Sequence, residues 1–438
     1  MPSTQVFADG FRNPFQSASA IAQGNAFAAQ ADDPSAIHYN PAGMTQLRGL
    51  QQSVGIQFVS PRTTFTSPTG VTVQNELDGP VGLPPPGQLF LTANLKDLGV
   101  RPLENFTVGL GVVSLYGFAA EYPANGPFAT SLISASLPLL DIKPTIAYKF
   151  NDRLSVGLGA DIFTFAGFLG EGHAERKFIS PGGGIPPGSQ VELNGSGTTA
   201  GLNASLLYTL VQSAEGRPLV NLGFVWRSQA VLPLNGELRA NGALIADAST
   251  SIRFPESYEG GLAWWPVRRR DREWKLEADV NYVRWQSIRN FDVALSTGTT
   301  LLNPQRWSNA ISVGVGTEYK WLGLPSNPAW EVALRTGYLH SAQAIPNMNF
   351  DPAIADGNIH VLSVGAGFIC KRSDGVLGIA RCGKVQRDPA QVSEVGIDLA
   401  YNVSLFEPRT VQGNVNPSVN GRYETIIHAG AINFRVNF

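Results

Sequence analysis

Gly430-Ala431-Ile432-Asn433-Phe434-Arg435-Val436-Asn437-Phe438 closes the chain, and its alternation decides the fold class. In an extended strand successive side chains point to opposite faces. Gly430, Ile432, Phe434, Val436 and Phe438 therefore share one side, and Asn433, Arg435 and Asn437 the other. The same period returns upstream. Trp274, Leu276, Ala278, Val280 and Tyr282 oppose Lys275, Glu277, Asp279 and Asn281. Val395, Ile397, Leu399, Tyr401 and Val403 form another apolar row, and Trp330, Val332, Leu334 and Tyr338 another. Aromatic residues stand at both ends of the Trp274 row, which suits a strand facing a bilayer, because amphipathic rings settle at the two interfaces. A soluble sandwich also alternates, but its inward faces seldom repeat aromatics at strand ends.

Composition agrees. The 438 residues are 43% hydrophobic and 15% charged, with 47 Gly and 30 Pro, too apolar for a disordered chain. The balance of 32 Lys+Arg against 34 Asp+Glu gives no pull toward nucleic acid. No run reaches the roughly 18 apolar residues of a spanning helix; the richest stretch, Ser131 to Leu140, is broken by Ser and Pro. The membrane alternative is a closed barrel with every backbone hydrogen bond made between strands. Segment counting gives about fourteen antiparallel strands between about residue 49 and the end, an even number. Short connections such as Asn151-Asp152 and Val211 to Arg217 should face the periplasm. Longer ones such as Ser60 to Gln88 and Gly167 to Gly195 should face the outside. This places the protein in the bacterial outer membrane. Met1 to Phe15 lacks the basic start and apolar core of a secretory signal, so the expectation is an exported chain whose signal lies outside this sequence. The terminal aromatic Phe438 resembles the signal read by the barrel-assembly machinery.

The first 47 residues differ. Ser17 to Gln30 is Ala-rich and reads as short helices interrupted at Gly24, followed by the turn-prone Asp32-Asp33-Pro34. This piece is too small for a core of its own. Residues 1–47 are therefore expected as a helical hatch plugging the lumen of an all-β transmembrane barrel formed by residues 48–438. Cys370 and Cys382 lack the paired spacing of a zinc site and read as a disulfide in an oxidising compartment, the alternative being two free thiols. No metal or cofactor is expected.

Gly24-Asn25-Ala26, Ala31 to Ala36 and Tyr39-Asn40-Pro41-Ala42-Gly43-Met44 resemble the hatch of the FadL-type outer-membrane transporters of long-chain fatty acids and aromatic hydrocarbons. Gly223 to Ser228, Phe254 to Leu262 and Val283 to Ser287 resemble later strands of that family, in the same order. The resemblance implies capture of a fatty acid, alkane or aromatic hydrocarbon in an outer groove, passage to an apolar pocket above the hatch, hatch movement and sideways release. The third strand, Phe106 to Phe118, would carry the lateral gap at Gly109, Gly111 and Gly117, although these glycines could equally pack against the hatch. Phe11, Phe15, Ile21 and Phe27 are pocket candidates or, alternatively, plug-to-wall packing. Asn40, Pro41 and Ala42 should anchor the hatch. Lys275 or Arg335 could guide a carboxylate, or belong to a lumen charge ladder. Expected partners are the hydrophobic cargo, outer-membrane lipid and lipopolysaccharide, and the assembly machinery, with the chain a monomer. Two rivals remain. A lipid-modifying enzyme would need a catalytic constellation, yet His38, His173, His340, His360 and His428 sit in no nucleophile-elbow motif. A general hydrophilic porin conflicts with an inserted hatch.

Overall fold

Strands with apolar residues on one face and polar residues on the other close into a cylinder. The computed structural model describes residues 9–75, 87–167, 172–324, 328–354, 356–371, 373–376, 380–382 and 394–438; residues 1–8 of the expected hatch lie outside these. The barrel strands are β1 (Leu50–Thr66), β2 (Gly87–Asn94), β3 (Phe106–Val113), β4 (Leu139–Lys149), β5 (Leu154–Phe165), β6 (Thr199–Gln212) and β7 (Pro218–Arg227). They continue as β8 (Ser257–Arg268), β9 (Arg272–Val283), β10 (Ala310–Trp321), β11 (Trp330–Ser341), β12 (Ile359–Cys370), β13 (Glu394–Phe406) and β14 (Gly421–Asn437). Each pairs antiparallel with its neighbour, and β1 closes on β14 from Gln51↔Asn437 to Thr66↔Arg422. These are the fourteen strands the alternation implies. β1 extends to Thr66, past the expected loop start at Ser60, because its ladder with β14 continues to that height.

The barrel inverts a soluble protein. Val54, Phe58, Leu158, Leu202, Phe224, Val280, Val315, Leu334, Leu362, Leu399 and Phe434 are exposed outside, while Lys143, Lys275, Glu277, Asp279, Glu318, Arg335 and Asp398 are buried inside. Short turns such as 213–217 and 269–271 mark one end; long connections mark the other. At this loop end a second antiparallel sheet forms from Ala119–Glu121, Ser134–Ser136, Ala174–Ile179, Gln190–Gly195, Ala230–Ala240, Ala243–Phe254, Val293–Leu295 and Thr300–Leu301. Cys370 and Cys382 are disulfide-bonded at the turn end, with Cα atoms 6.0 Å apart.

Residues 9–48 fill the lumen. Only α1 (Ala18–Ile21) and α2 (Ala36–Tyr39) are α-helical, and Pro41–Gln46 is a 3-10 turn. The helix expected through Gln30 stops early for a visible reason: the amides of Phe27, Ala28, Ala29 and Gln30 turn outward to wall carboxylates instead of continuing a helical ladder. The wall admits the hatch by omitting side chains. A Cβ on Gly337 would stand 2.1 Å from Gly24 N and the carbonyl carbon of Gln23, and one on Gly223 2.1 Å from Ala28 O. Replacing Gly337 by Val should therefore unseat the hatch, and deleting residues 1–47 should leave an open pore. In planar bilayers both proteins are expected to give large, steady conductance where the parent is closed; a closed channel after the deletion would remove the plugging role.

Candidate functional site

The hatch has only a small apolar cluster of its own, Ala20, Phe27 and Tyr39, and polar groups of the wall help to set its position. Asp279 Oδ2 accepts from Phe27 N and Ala28 N, both at 2.8 Å, and Glu277 Oε1 from Ala29 N at 2.7 Å and Gln30 N at 3.1 Å. Each such hydrogen bond contributes on the order of 1 kcal/mol net. Asn40 bonds to both hatch and wall: its Nδ2 donates to Ala28 O at 2.7 Å and Leu206 O at 3.1 Å, and its Oδ1 caps Ala42 N at 3.1 Å. Ala42 N also donates to Ser205 Oγ at 2.9 Å. Pro41 starts the 3-10 turn.

Lys275 and Arg335 are committed elsewhere than to a cargo carboxylate. Lys275 Nζ lies 2.7 Å from Glu277 and 2.5 Å from Gln30 Oε1. Arg335 bridges Glu318 at 2.7 Å and Asp398 at 2.6 Å. Both belong to the ladder that supports the hatch. Beneath them, at the turn end, lies a polar cavity of about 710 Å³ lined by Asp32, Asp33, Lys320, Arg335, Arg435 and Phe438 among others.

The four apolar candidates separate. Phe15 and Ile21 pack with Leu339, Val361, Ala400 and Ala431 of the wall, and Phe27 packs on Ala20 and Tyr39 within the hatch. Phe11 alone reaches the loop end, among Tyr116, Phe118, Phe254, Trp285 and Trp307. These five rings escaped the sequence reading because they come from three separate connections. A local signal was the alternation of Leu232 with Leu234 and of Ile252 with Phe254.

The third strand also needs correction. Gly109 pairs with Thr92 and Thr145, and Gly111 with Phe90 and Lys143, so the wall is continuous at both. Their missing side chains make room for Ile37 and Met44: a Cβ on Gly109 would meet Met44 Sδ at 2.7 Å, one on Gly111 Ile37 Cγ2 at 2.9 Å. β3 ends at Val113. Beyond it, residues 114–117 turn inward and pair with the hatch, Asn13 N to Leu115 O at 2.6 Å and Gly117 N to Phe11 O at 3.0 Å. Gly117 thus stays at the place where the strand leaves the wall; Gly109 and Gly111 do not.

Phe118 is shared. It also borders an apolar pocket of about 130 Å³ in the loop-end sheet, lined by Leu137, Leu193, Leu234, Ile252 and Val293. Arg176 at its rim is held by Asp351 at 2.7 Å and by Ser131 O. Among the described residues no cluster could hold a metal ion.

One loop latches the hatch. Asp356 Oδ1 accepts from Gly10 N at 3.2 Å, and Oδ2 from Ile345 N at 2.7 Å and Ala344 N at 3.0 Å. Burial pushes this carboxyl up to about 6, against the opposing pull of those amides and of Arg409. A carboxyl raised in the folded protein binds its proton more tightly there, so its contribution is fullest below the ordinary carboxylate range and is lost as pH climbs through about 6. Corrected for intrinsic rates, exchange of the Gly10 amide should be slower at about pH 5 than at about pH 8, and Asp356→Asn should abolish the difference.

The comparisons with known proteins follow this geometry. A family model described as outer membrane protein transport protein (OMPP1/FadL/TodX) matches residues 1–403. A long-chain fatty acid transport protein of Salmonella typhi is 25% identical over 389 residues, covering 83% of this chain and 84% of that protein. A Pseudomonas aeruginosa FadL homologue of known structure gives a TM-score of 0.73 at 17% identity, covering 98% of this chain and 100% of that one. The Pseudomonas putida toluene transporter TodX gives 0.62 at 17% identity, covering 99% of each chain. The two solved structures bear on the fold, and the family match spans most of the sequence. The chain belongs to the OMPP1/FadL/TodX family of outer-membrane transport proteins, a barrel that moves hydrophobic substrates and not an enzyme.

Proposed function

We infer that the protein takes up small, neutral hydrophobic molecules, of the size of one aromatic ring, from the loop end and releases them sideways where β3 leaves the wall. One observation carries the reading: an apolar pocket, an aromatic cage and the inward turn at 114–117 lie in sequence, with Phe118 common to the first two. Burial of apolar surface, at roughly 25 cal/mol per Å², holds such a molecule where a water-filled pore offers it nothing. Size sets the class. An apolar cavity of about 150 Å³ takes benzene, and the loop-end pocket is about 130 Å³, so a single ring or a short chain fits and a long acyl chain overruns it. Charge agrees, because Arg176 at the rim is already neutralised by Asp351 and Lys275 and Arg335 are locked under the hatch. The fatty acid named for the Salmonella typhi relative is the competing cargo.

The test is uptake into proteoliposomes of ethylbenzene against oleate. Ethylbenzene should enter faster than into protein-free vesicles and oleate should not. Filling the pocket with Ala248→Trp should lower ethylbenzene uptake about tenfold, the factor of a lost 1.4 kcal/mol. Preferential oleate uptake would reverse the cargo assignment, and a large aqueous conductance in the unmodified protein would favour a general porin.

A further inference from the structure

One corner of the turn end carries charge that neither the hatch nor the lumen uses. The turns 213–217 and 269–271 lie side by side because β7 pairs with β8. With the strand ends beside them they bring together Arg217, Arg268, Arg269, Arg270 and Arg272 against Glu215, Asp271 and Glu273. The chain as a whole has a formal net charge of -2, and the next connection along, 322–329, contains no charged residue. The excess of arginine is therefore local.

Buried Glu273 organises the corner. It accepts from Arg217 and, at 3.3 Å, from Arg268 Nε. Arg217 Nη1 also donates to Arg269 O at 3.1 Å, which ties the two turns together. Arg268 is fixed on two further sides, its Nη1 2.5 Å from Pro218 O and its guanidinium 4.4 Å from the centre of the Trp265 ring. The β8–β9 ladder shifts register between Trp264 and Val267, and Trp265 packs inward on Ala29 and Ala263. Glu273 is thereby committed to Arg217 and Arg268, and the other three arginines meet only exposed acids. Arg270 is 90% exposed and 3.8 Å from Glu215, and Arg272 lies 3.8 Å from Asp271. The Arg269 side chain has no ion-pair partner among the described residues.

Aromatic side chains mark the depth of this corner. Trp264 and Trp274 are 48% and 38% exposed on the outer face. In β10 the rings of Tyr319 and Trp321 have centroids 4.7 Å apart, and Trp321 stands opposite Arg272 in the ladder. Such a girdle settles at the membrane interface, so the arginines just past it stand at headgroup level. Short turns mark the periplasmic end of these barrels, where the leaflet is glycerophospholipid. We propose that the corner binds the phosphate of an anionic glycerophospholipid headgroup, with the acyl chains lying along the belt of Trp264, Trp274 and Trp321. Guanidinium forks match phosphate oxygens with two parallel donors. A zwitterionic headgroup brings an amine that the excess positive charge repels. The site faces away from the lumen, so it goes beyond the cargo reading and does not depend on it.

The test reconstitutes the full chain in vesicles of equal phosphatidylglycerol and phosphatidylethanolamine, releases it in mild detergent and weighs it intact by native mass spectrometry. Phosphatidylglycerol should stay bound in preference. In the double variant Arg269→Gln, Arg270→Gln its retention should fall about 25-fold, at about fivefold per arginine, with phosphatidylethanolamine unchanged. Both side chains are exposed, so the variant should fold as the parent does. Glu273→Gln separates geometry from charge, because it adds net positive charge while removing the anchor of Arg217 and Arg268. Weaker retention supports a built corner; tighter retention would reduce it to diffuse attraction and overturn the site. Excess inorganic phosphate should leave the lipid in place, since the free ion has no acyl chains for the tryptophan belt, and displacement by it would make this an ion site instead. Equal retention of the two lipids by the parent, or unchanged phosphatidylglycerol in the double variant, would overturn the proposal. So would a double variant that kept its lipid and lost only binding to isolated peptidoglycan, which would assign the corner to the acidic wall polymer.

Discussion

A strand that must show lipid an apolar face has only the lumen left for its charges, and a buried charge without a partner is costly. That constraint organises this protein. Lys275, Glu277, Asp279, Glu318, Arg335 and Asp398 are all buried on inward faces, and they are satisfied in two ways. Some pair with one another, as Arg335 does with Glu318 and Asp398. Others take up the backbone of the hatch, as Asp279 and Glu277 do with four consecutive amides. The hatch needs partners for its non-helical amides and the wall needs donors for its carboxylates. Each element satisfies the other, so a piece too small to fold alone is held in one place.

Legibility in the sequence follows from range. The barrel was legible because period-two alternation is local: the Trp274 to Tyr282 row is readable strand by strand, and the count of fourteen follows. The turn at Asn40 to Ala42 is local chemistry of the same kind, an Asn side chain that caps Ala42 N ahead of Pro41. The helices of the hatch were over-read at residues 25–30, where local Ala propensity loses to two carboxylates some 250 residues away in the chain. The disulfide between Cys370 and Cys382 was within reach of the composition alone.

What stayed hidden was assembled across connections. Tyr116, Phe254, Trp285 and Trp307 meet only when three loop-end segments fold over the barrel, and no pattern within one segment announces that. Gly109 and Gly111 show the opposite difficulty. A glycine in a strand signals a missing side chain, yet a bulge, a gap and a close neighbour all use that absence. Only the position of Ile37 and Met44 shows that here the neighbour decides.

The inward turn after Val113 then has a physical cause that needs no weakness in β3. A strand that stops pairing with its neighbours must place its N–H and C=O groups elsewhere. Residues 114–117 place theirs partly on the hatch, at Asn13 and Phe11, and Ser114 N donates to Gln16 Oε1 at 3.3 Å. The inward turn and the hatch are consequently two halves of one set of backbone bonds. Moving either half would withdraw hydrogen-bond partners from the other.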